Sequence, residues 1–162
     1  MSSNTPPDTG APRSWPDLAG RVIEEGGRRH HVLPVRVYFE DTDFSGLVYH
    51  ASYVRWCERG RSDFLRLLGN DHRALFDGIS GREPAAFVVR RMGLEYLKPA
   101  RIDEVLEIET RVKELTAATL VLDQAVNRGQ DRLFEAVVTV VLVSQSGRVL
   151  RLSNALRKVL AE

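Results

Sequence analysis

The stretch Tyr38-Phe39-Glu40-Asp41-Thr42-Asp43-Phe44-Ser45-Gly46-Leu47-Val48-Tyr49-His50-Ala51-Ser52-Tyr53 joins two different periodicities. On its upstream side Val35, Val37 and Phe39 alternate with Arg36 and Tyr38, the pattern of a half-buried strand. On its downstream side Val54, Cys57, Arg61, Phe64, Leu65 and Leu68 recur at three- and four-residue steps. That spacing predicts a helix from residue 51 or 52 to residue 68. Arg61 is the charged member of the stripe, and its aliphatic stem can lie along a core. Glu58, Arg59, Ser62, Asp63 and Arg66 take the other side, and Gly69 and Asn70 form a stop. The junction itself is a polar loop in which Gly46 permits a backbone shape that other residues resist.

Beyond the helix, residues 71–77 read as a short second helix. Four strands follow at 85–97, 106–115, 118–127 and 133–143, rich in β-branched and alternating residues. Gly93 is a candidate bulge, Gly129 marks a hairpin turn at 127–131, and Ser146-Gly147 turns the chain again. A terminal helix is predicted over 153–160, capped by Ser153. The order is strand, long helix, then an antiparallel meander. One helix with an apolar stripe needs a surface to cover it, and a curved sheet supplies that surface. The predicted fold is α+β: a five-stranded antiparallel sheet wrapped around one central helix, the arrangement known as a hot dog.

Composition narrows the function classes. A formal net charge of +1, with 43% hydrophobic and 28% charged residues, describes a globular protein with no electrostatic bias toward nucleic acid or a membrane surface. Cys57 is the single cysteine, which excludes an intrachain disulfide and metal sites built on several thiolates. No apolar run reaches the length of a membrane span, and the first thirty residues lack a signal-peptide core. A cytoplasmic protein is expected. Residues 1–31, broken by Pro6, Pro7, Pro12 and Pro16 and ending in Arg28-Arg29-His30-His31, read as a mobile tail. Trp15, Leu18, Val22 and Ile23 suggest a short helical patch within it. Residues 32–162 read as the folded domain.

The loop packs carboxylates, a glycine turn, a histidine and a helix start into a few residues. Helix N-termini carry unpaired N–H groups and partial positive charge, and so can hold a polarised carbonyl oxygen. A carboxylate folded back from the preceding loop could attack that carbonyl or activate a water. The same residue types also serve simply as turn formers and caps. The residues alone leave both readings open.

The run Asp41-Thr42-Asp43, Gly46, Val48-Tyr49-His50-Ala51-Ser52-Tyr53, Glu58-Arg59 and Arg61 resembles the signature of the YbgC-like family. These are hot-dog acyl-CoA thioesterases associated with the Tol-Pal system and related to 4-hydroxybenzoyl-CoA thioesterases. The similarity continues through Ala86-Phe87-Val88-Val89-Arg90-Arg91-Met92, Glu95-Tyr96 and Pro99-Ala100-Arg101, and spans about 35–143. The resemblance implies hydrolysis of acyl-CoA to free acid and CoA. It implies that Asp43 is the catalytic carboxylate and that the backbone N–H of His50 polarises the thioester carbonyl. Tyr49 and the His50 side chain line the pocket, and Gly46 shapes the loop. Asp41 is assigned to holding the loop. Phe44 and Ser45 stand at positions that vary in the family. Arg90 and Arg91, with Lys98 and Arg101, are candidates for the CoA phosphates, although in a regular strand Arg90 and Arg91 face opposite ways.

Rivals are weighed beside these. Glu58 is the alternative carboxylate, since other hot-dog enzymes place their acid on the central helix; an ion pair with Arg55 or Arg61 is the expectation here. Cys57 falls on the apolar stripe, as a small buried hydrophobe does. No metal and no cofactor is required. The resemblance further implies a homo-oligomer, a dimer of dimers, and leaves an acyl carrier protein as a second carrier of the acyl group. Two other functions remain: a non-catalytic acyl-CoA or carrier-protein binding module at the cell envelope, and a hot-dog dehydratase.

Overall fold

In the computed structural model, which describes residues 17–69, 73, 76 and 83–161, a seven-stranded antiparallel sheet curves around one long helix. The strands are β1 (Arg21–Glu25), β2 (Arg28–Arg36), β3 (Ala85–Tyr96), β4 (Val105–Leu115), β5 (Thr119–Arg128), β6 (Asp131–Ser144) and β7 (Val149–Leu150). Their order is β1-β2-β4-β5-β6-β3, with β7 paired to β6. The five strands expected from the sequence are β2, β4, β5, β6 and β3; β1 and β7 add two short ribbons. The central helix α1 runs from His50 to Leu67, and a terminal helix α2 covers Asn154–Ala161. Ser153 caps α2 as predicted, its Oγ accepting the Leu156 N–H at 3.2 Å. The helix expected at 71–77 lies outside the described residues apart from Arg73 and Phe76.

The face of α1 turned to the sheet is wider than the stripe read from the sequence. Tyr53, Trp56, Cys57, Gly60, Arg61, Phe64 and Leu65 are all buried. Tyr53 and Trp56 join the stripe because they lie one turn before Cys57 and Gly60. They pack with the inward residues of the strands, Leu106, Ile108, Leu120, Leu122, Val126, Phe134 and Val138, in one core. At Gly60 the helix comes so close to the sheet that a Cβ would stand 3.1 Å from Thr110 Oγ1 and 3.2 Å from Ile108 Cγ2. Arg61 donates to Gln124 Oε1 at 2.7 Å, and Gln124 Nε2 donates to the Cys57 carbonyl and to Thr110 Oγ1. The buried guanidinium and amide are thereby paired, as burial requires.

Four sequence expectations change. The helical patch in 15–25 is absent among the described residues; Arg21–Glu25 pair instead with Arg28–Val32 as a hairpin. The basic run Arg28-Arg29-His30-His31 therefore opens β2, and the boundary expected at 31/32 falls inside that strand. The bulge in β3 lies between Val89 and Arg91, opposite Val140 and Thr139, and Gly93 pairs regularly with Val137. Finally, the strand predicted to reach Phe39 stops earlier. Phe39–Asp41 form a turn of 3-10 helix, which leaves the Phe39 ring 82% exposed.

His31 is the clearest gain from the tertiary fold. It pairs with Thr110 of β4 and turns its ring toward α1, where Nε2 lies 2.7 Å from Asp63 Oδ2 and the ring stacks on Phe64. Nδ1 is buried with no hydrogen-bond partner, so the neutral ring donating through Nε2 is the form the site holds. Burial, the largest influence, lowers the His31 pKa below its ordinary 6.5 against the opposing pull of Asp63; Arg66 and His30 push it the same way as burial. As pH falls through about 6.5, the unfolded chain takes up a proton that the folded chain refuses, so stability falls with it. Thermal melts across this range should show wild type losing stability on acidification and His31→Gln, though less stable at neutral pH, showing a flatter dependence. Equal slopes would remove His31 as the cause.

Candidate active site

The loop before α1 is a tight hairpin. Thr42 bridges to Val48, the Asp43 N–H donates to the Leu47 carbonyl at 3.0 Å, and the Gly46 N–H donates to the Asp43 carbonyl at 3.0 Å. Aspartate favours the first position of such a turn, and the fourth takes a glycine when the backbone must go left-handed. Gly46 has φ 77°. The ladder ends where the Tyr49 N–H donates to the Asp41 carbonyl at 2.8 Å, and α1 begins at the next residue. Asp41 is buried, and its Oδ2 accepts the Tyr38 N–H at 2.9 Å while its carbonyl also accepts Ser52 Oγ at 3.2 Å. It joins the preceding turn, the hairpin and the helix. Its side chain is committed to that task.

Asp43, one turn further out, is fully exposed. Its Oδ1 accepts two hydrogen bonds from Ser45, from Oγ at 2.5 Å and from N–H at 2.9 Å. These, the hydroxyl first, hold its carboxyl below the usual carboxylate value, with a smaller contribution from His50. Asp43 is therefore an anion at neutral pH, within electrostatic reach of the residue that starts α1. The cap residue of α1, Tyr49, makes no side-chain hydrogen bond to the first turn. The rings of Tyr49 and His50 are exposed and 4.3 Å apart between centroids. Aromatic packing fixes where this end of the helix sits. Tyr53 stacks on Phe134, Tyr96 meets Phe134 edge-on, the Tyr96 hydroxyl donates to the His50 carbonyl at 3.0 Å, and the Ala100 N–H donates to the Tyr53 hydroxyl at 3.1 Å.

Asp43, Gly46, Tyr49 and His50 thus lie together on one hairpin and helix start. Arg90 and Arg91 lie elsewhere, at the β3 bulge. Val89 lines the inner cleft and Met92 packs against the core, so the extra residue puts both arginines on the outer side of the sheet. The alternation expected of a regular strand is broken there. Among the described residues no hydrogen bond or ion pair is seen between either arginine and the Asp43 loop. Glu58 is engaged: Arg61 donates to its Oε2 at 2.5 Å and Ser62 to its Oε1 at 2.9 Å. It stands at the edge of a cleft of about 100 Å³ between α1 and the sheet, walled by Leu65, Phe87, Leu120 and Leu122. Cys57 is buried, and desolvation pushes its thiol up to about 12, which makes it a poor nucleophile. Among the described residues no group of three or more His, Cys, Asp or Glu could hold a metal ion, and no helix is long and apolar enough to cross a membrane.

Sequence reasoning passed over two residues of this site. In the sequence Ser45 reads only as part of the loop and a variable position, although Asp-x-Ser is a spacing at which a hydroxyl can reach back to the carboxylate. Tyr96 enters the family resemblance without a role, because its contact with His50 spans 46 residues.

A curved sheet around one helix, with an exposed carboxylate on the hairpin that feeds the helix start, defines a hot-dog protein. The chain belongs to the thioesterase superfamily, whose family model matches residues 45–135. Asp43 lies just before the matched stretch. An acyl-CoA thioester hydrolase YbgC of Escherichia coli O6:H1 is 46% identical over 111 residues, which are 68% of this chain and 79% of that protein. The acyl-CoA thioesterase YbgC of Haemophilus influenzae is 39% identical over the same length and shares. A crystal structure described as a "Probable Thioesterase" from Bartonella henselae superposes with a TM-score of 0.74 at 42% identity, covering 76% of this chain and 99% of that one. The YbgC-like resemblance read from the loop and helix agrees with the two relatives that carry that name.

Proposed function

We propose that this protein is an acyl-CoA thioesterase that hydrolyses the thioester to a free acid and CoA, with Asp43 as the reacting carboxylate. The observation that carries this reading is the exposed, ionised Asp43 on the hairpin that runs directly into an uncapped helix start. The thioester carbonyl docks with its oxygen toward the His50 N–H, where the helix terminus stabilises the developing oxyanion. Asp43 either attacks the carbonyl carbon, expelling CoA thiolate and leaving an anhydride that water cleaves, or takes a proton from a water that attacks. Tyr49 and the His50 ring flank the reacting group, and Gly46 keeps the loop in its shape. The dehydratase reading needs a helical acid, and Glu58 is already paired with Arg61 and Ser62. The test is free-CoA release from a panel of short, long and aromatic acyl-CoAs. Release from at least one is the expected result; binding without release would favour a non-catalytic module, and turnover confined to acyl carrier protein would replace CoA as the carrier.

The working form is a cytoplasmic homo-oligomer, a dimer of dimers, in this reading. β3 is the last strand of the sheet, twelve residues long, and exposes Val88, Val89, Leu94 and Tyr96. A long apolar edge of this kind pairs with another strand, and a second copy across a two-fold axis is the self-complementary solution. Arg90 and Arg91, on the same strand, are then candidates for contacting CoA phosphates at a site completed by two chains. Light scattering at micromolar concentration should give four times the chain mass; a monomeric mass would overturn the assembly.

A further inference from the structure

Asp43 has two oxygens in different circumstances. Oδ1 takes both donors of Ser45, and the 2.5 Å contact from Oγ falls where charge-assisted O–H···O⁻ bonds lie. Among the described residues Oδ2 is seen with no hydrogen bond. The backbone N–H of Ser45 alone would complete the turn; the hydroxyl is a further donor. Its own oxygen accepts the Leu47 N–H at 3.4 Å, which leaves the hydroxyl hydrogen directed to Asp43. A carboxylate held by two donors on one oxygen cannot spin freely about its Cβ–Cγ bond without losing both.

We propose that Ser45 is a positioning residue of the hydrolysis: its hydroxyl pins Asp43 Oδ1 and so presents Oδ2 as the oxygen that meets the thioester or its water. This rests on the assignment of Asp43 as the reacting carboxylate. The energetic consequence follows from the same contact. A donor on the charged form favours that form, and the Ser45 hydroxyl is the largest influence on the Asp43 carboxyl, with a smaller one from His50 in the same direction. Removing the hydroxyl leaves Oδ1 with the backbone N–H as its remaining donor, which loosens the orientation of the carboxylate and raises its titration midpoint. A misplaced reacting group costs rate with little effect on ground-state binding.

The experiment compares wild type, Ser45→Ala, Ser45→Thr and Asp43→Asn in steady-state hydrolysis of whichever acyl-CoA the wild type turns over. Carboxyl NMR of the full chain is added, the Asp43 signal being assigned by its loss in Asp43→Asn. Ser45→Ala should lower kcat by about 10- to 100-fold while KM stays within about twofold. Its Asp43 midpoint should move to higher pH, and Ser45→Thr, which keeps a hydroxyl, should restore both readouts. A residue that only shaped the turn would shift the melting temperature and leave the Asp43 midpoint where it was; that result, or an unchanged kcat in Ser45→Ala, overturns the proposal. Full activity in Asp43→Asn is the separate outcome that removes the underlying assignment. The titration does not need turnover, so it reads the hydrogen bond even in a slow variant.

Discussion

Asp43→Asn should lower kcat for acyl-CoA hydrolysis by about 10²- to 10⁴-fold, the range contributed by a positioned proton-transfer group. The substitution keeps the shape of the side chain and its ability to accept from Ser45. It removes the negative charge that makes the group a base or a nucleophile. Because Asp43 is exposed and Asn can still accept from Ser45, the fold should hardly register the change. The discriminating measurement pairs CoA release with a thermal melt. Lost turnover at an unchanged melting temperature supports the assignment. Retained turnover would transfer the chemistry to another group, with Glu58 the first alternative to examine, and that test would begin from its pairing with Arg61 and Ser62.

Trp56→Ala is expected to have the largest effect on stability. The indole is 1% exposed at the middle of α1, edge-on to Tyr53 at 5.5 Å between centroids. Truncating a buried Trp removes its transfer energy and leaves a cavity that the surrounding structure fills only in part, a cost of about 3–5 kcal/mol. For a chain of this length that lowers the melting temperature by about 6–20 °C. The aromatic group that Trp56 supports also fixes the start of α1 through Tyr53, Tyr96 and the His50 carbonyl. A fall in kcat larger than the loss of folded protein at the assay temperature is therefore expected as well. Calorimetry alongside CoA release separates the two effects. A melting temperature within a degree or two of wild type would mean that the core closes around the gap.

Much of this molecule is written in local pattern. The helix stripe, the alternating strands, the Ser153 cap and the Asp43–Gly46 turn each depend on residues a few positions apart, and each is found close to where its spacing puts it. The loop as a candidate site has the same source, since carboxylates, a glycine and a helix start fall within a few residues, whereas the choice of Asp43 within it rests on the resemblance to the YbgC-like family. The misreadings have a common cause. Pro, Gly and basic residues made 1–31 look unable to order, yet Arg21–Glu25 gain their hydrogen bonds from β2, and His31 finds Asp63 32 residues away. Helical spacing in Trp15 to Ile23 is a propensity, and strand pairing overrides it. Likewise nothing in Val89-Arg90-Arg91 announces a bulge, because a bulge is set by the register of the partner strand β6.

The sequence by itself thus determined the central helix, the five main strands, their order along the chain and the polar loop that carries Asp43. Only the tertiary structure decided which faces meet: that Tyr53, Trp56 and Gly60 join the buried side of α1, that Arg61 is satisfied by Gln124, that both arginines of β3 face outward, and that Tyr96 fastens the helix start. Local backbone preferences act over three or four residues, whereas these contacts are chosen by which strands pair and in what register, and that choice is made only when the whole sheet closes on its helix.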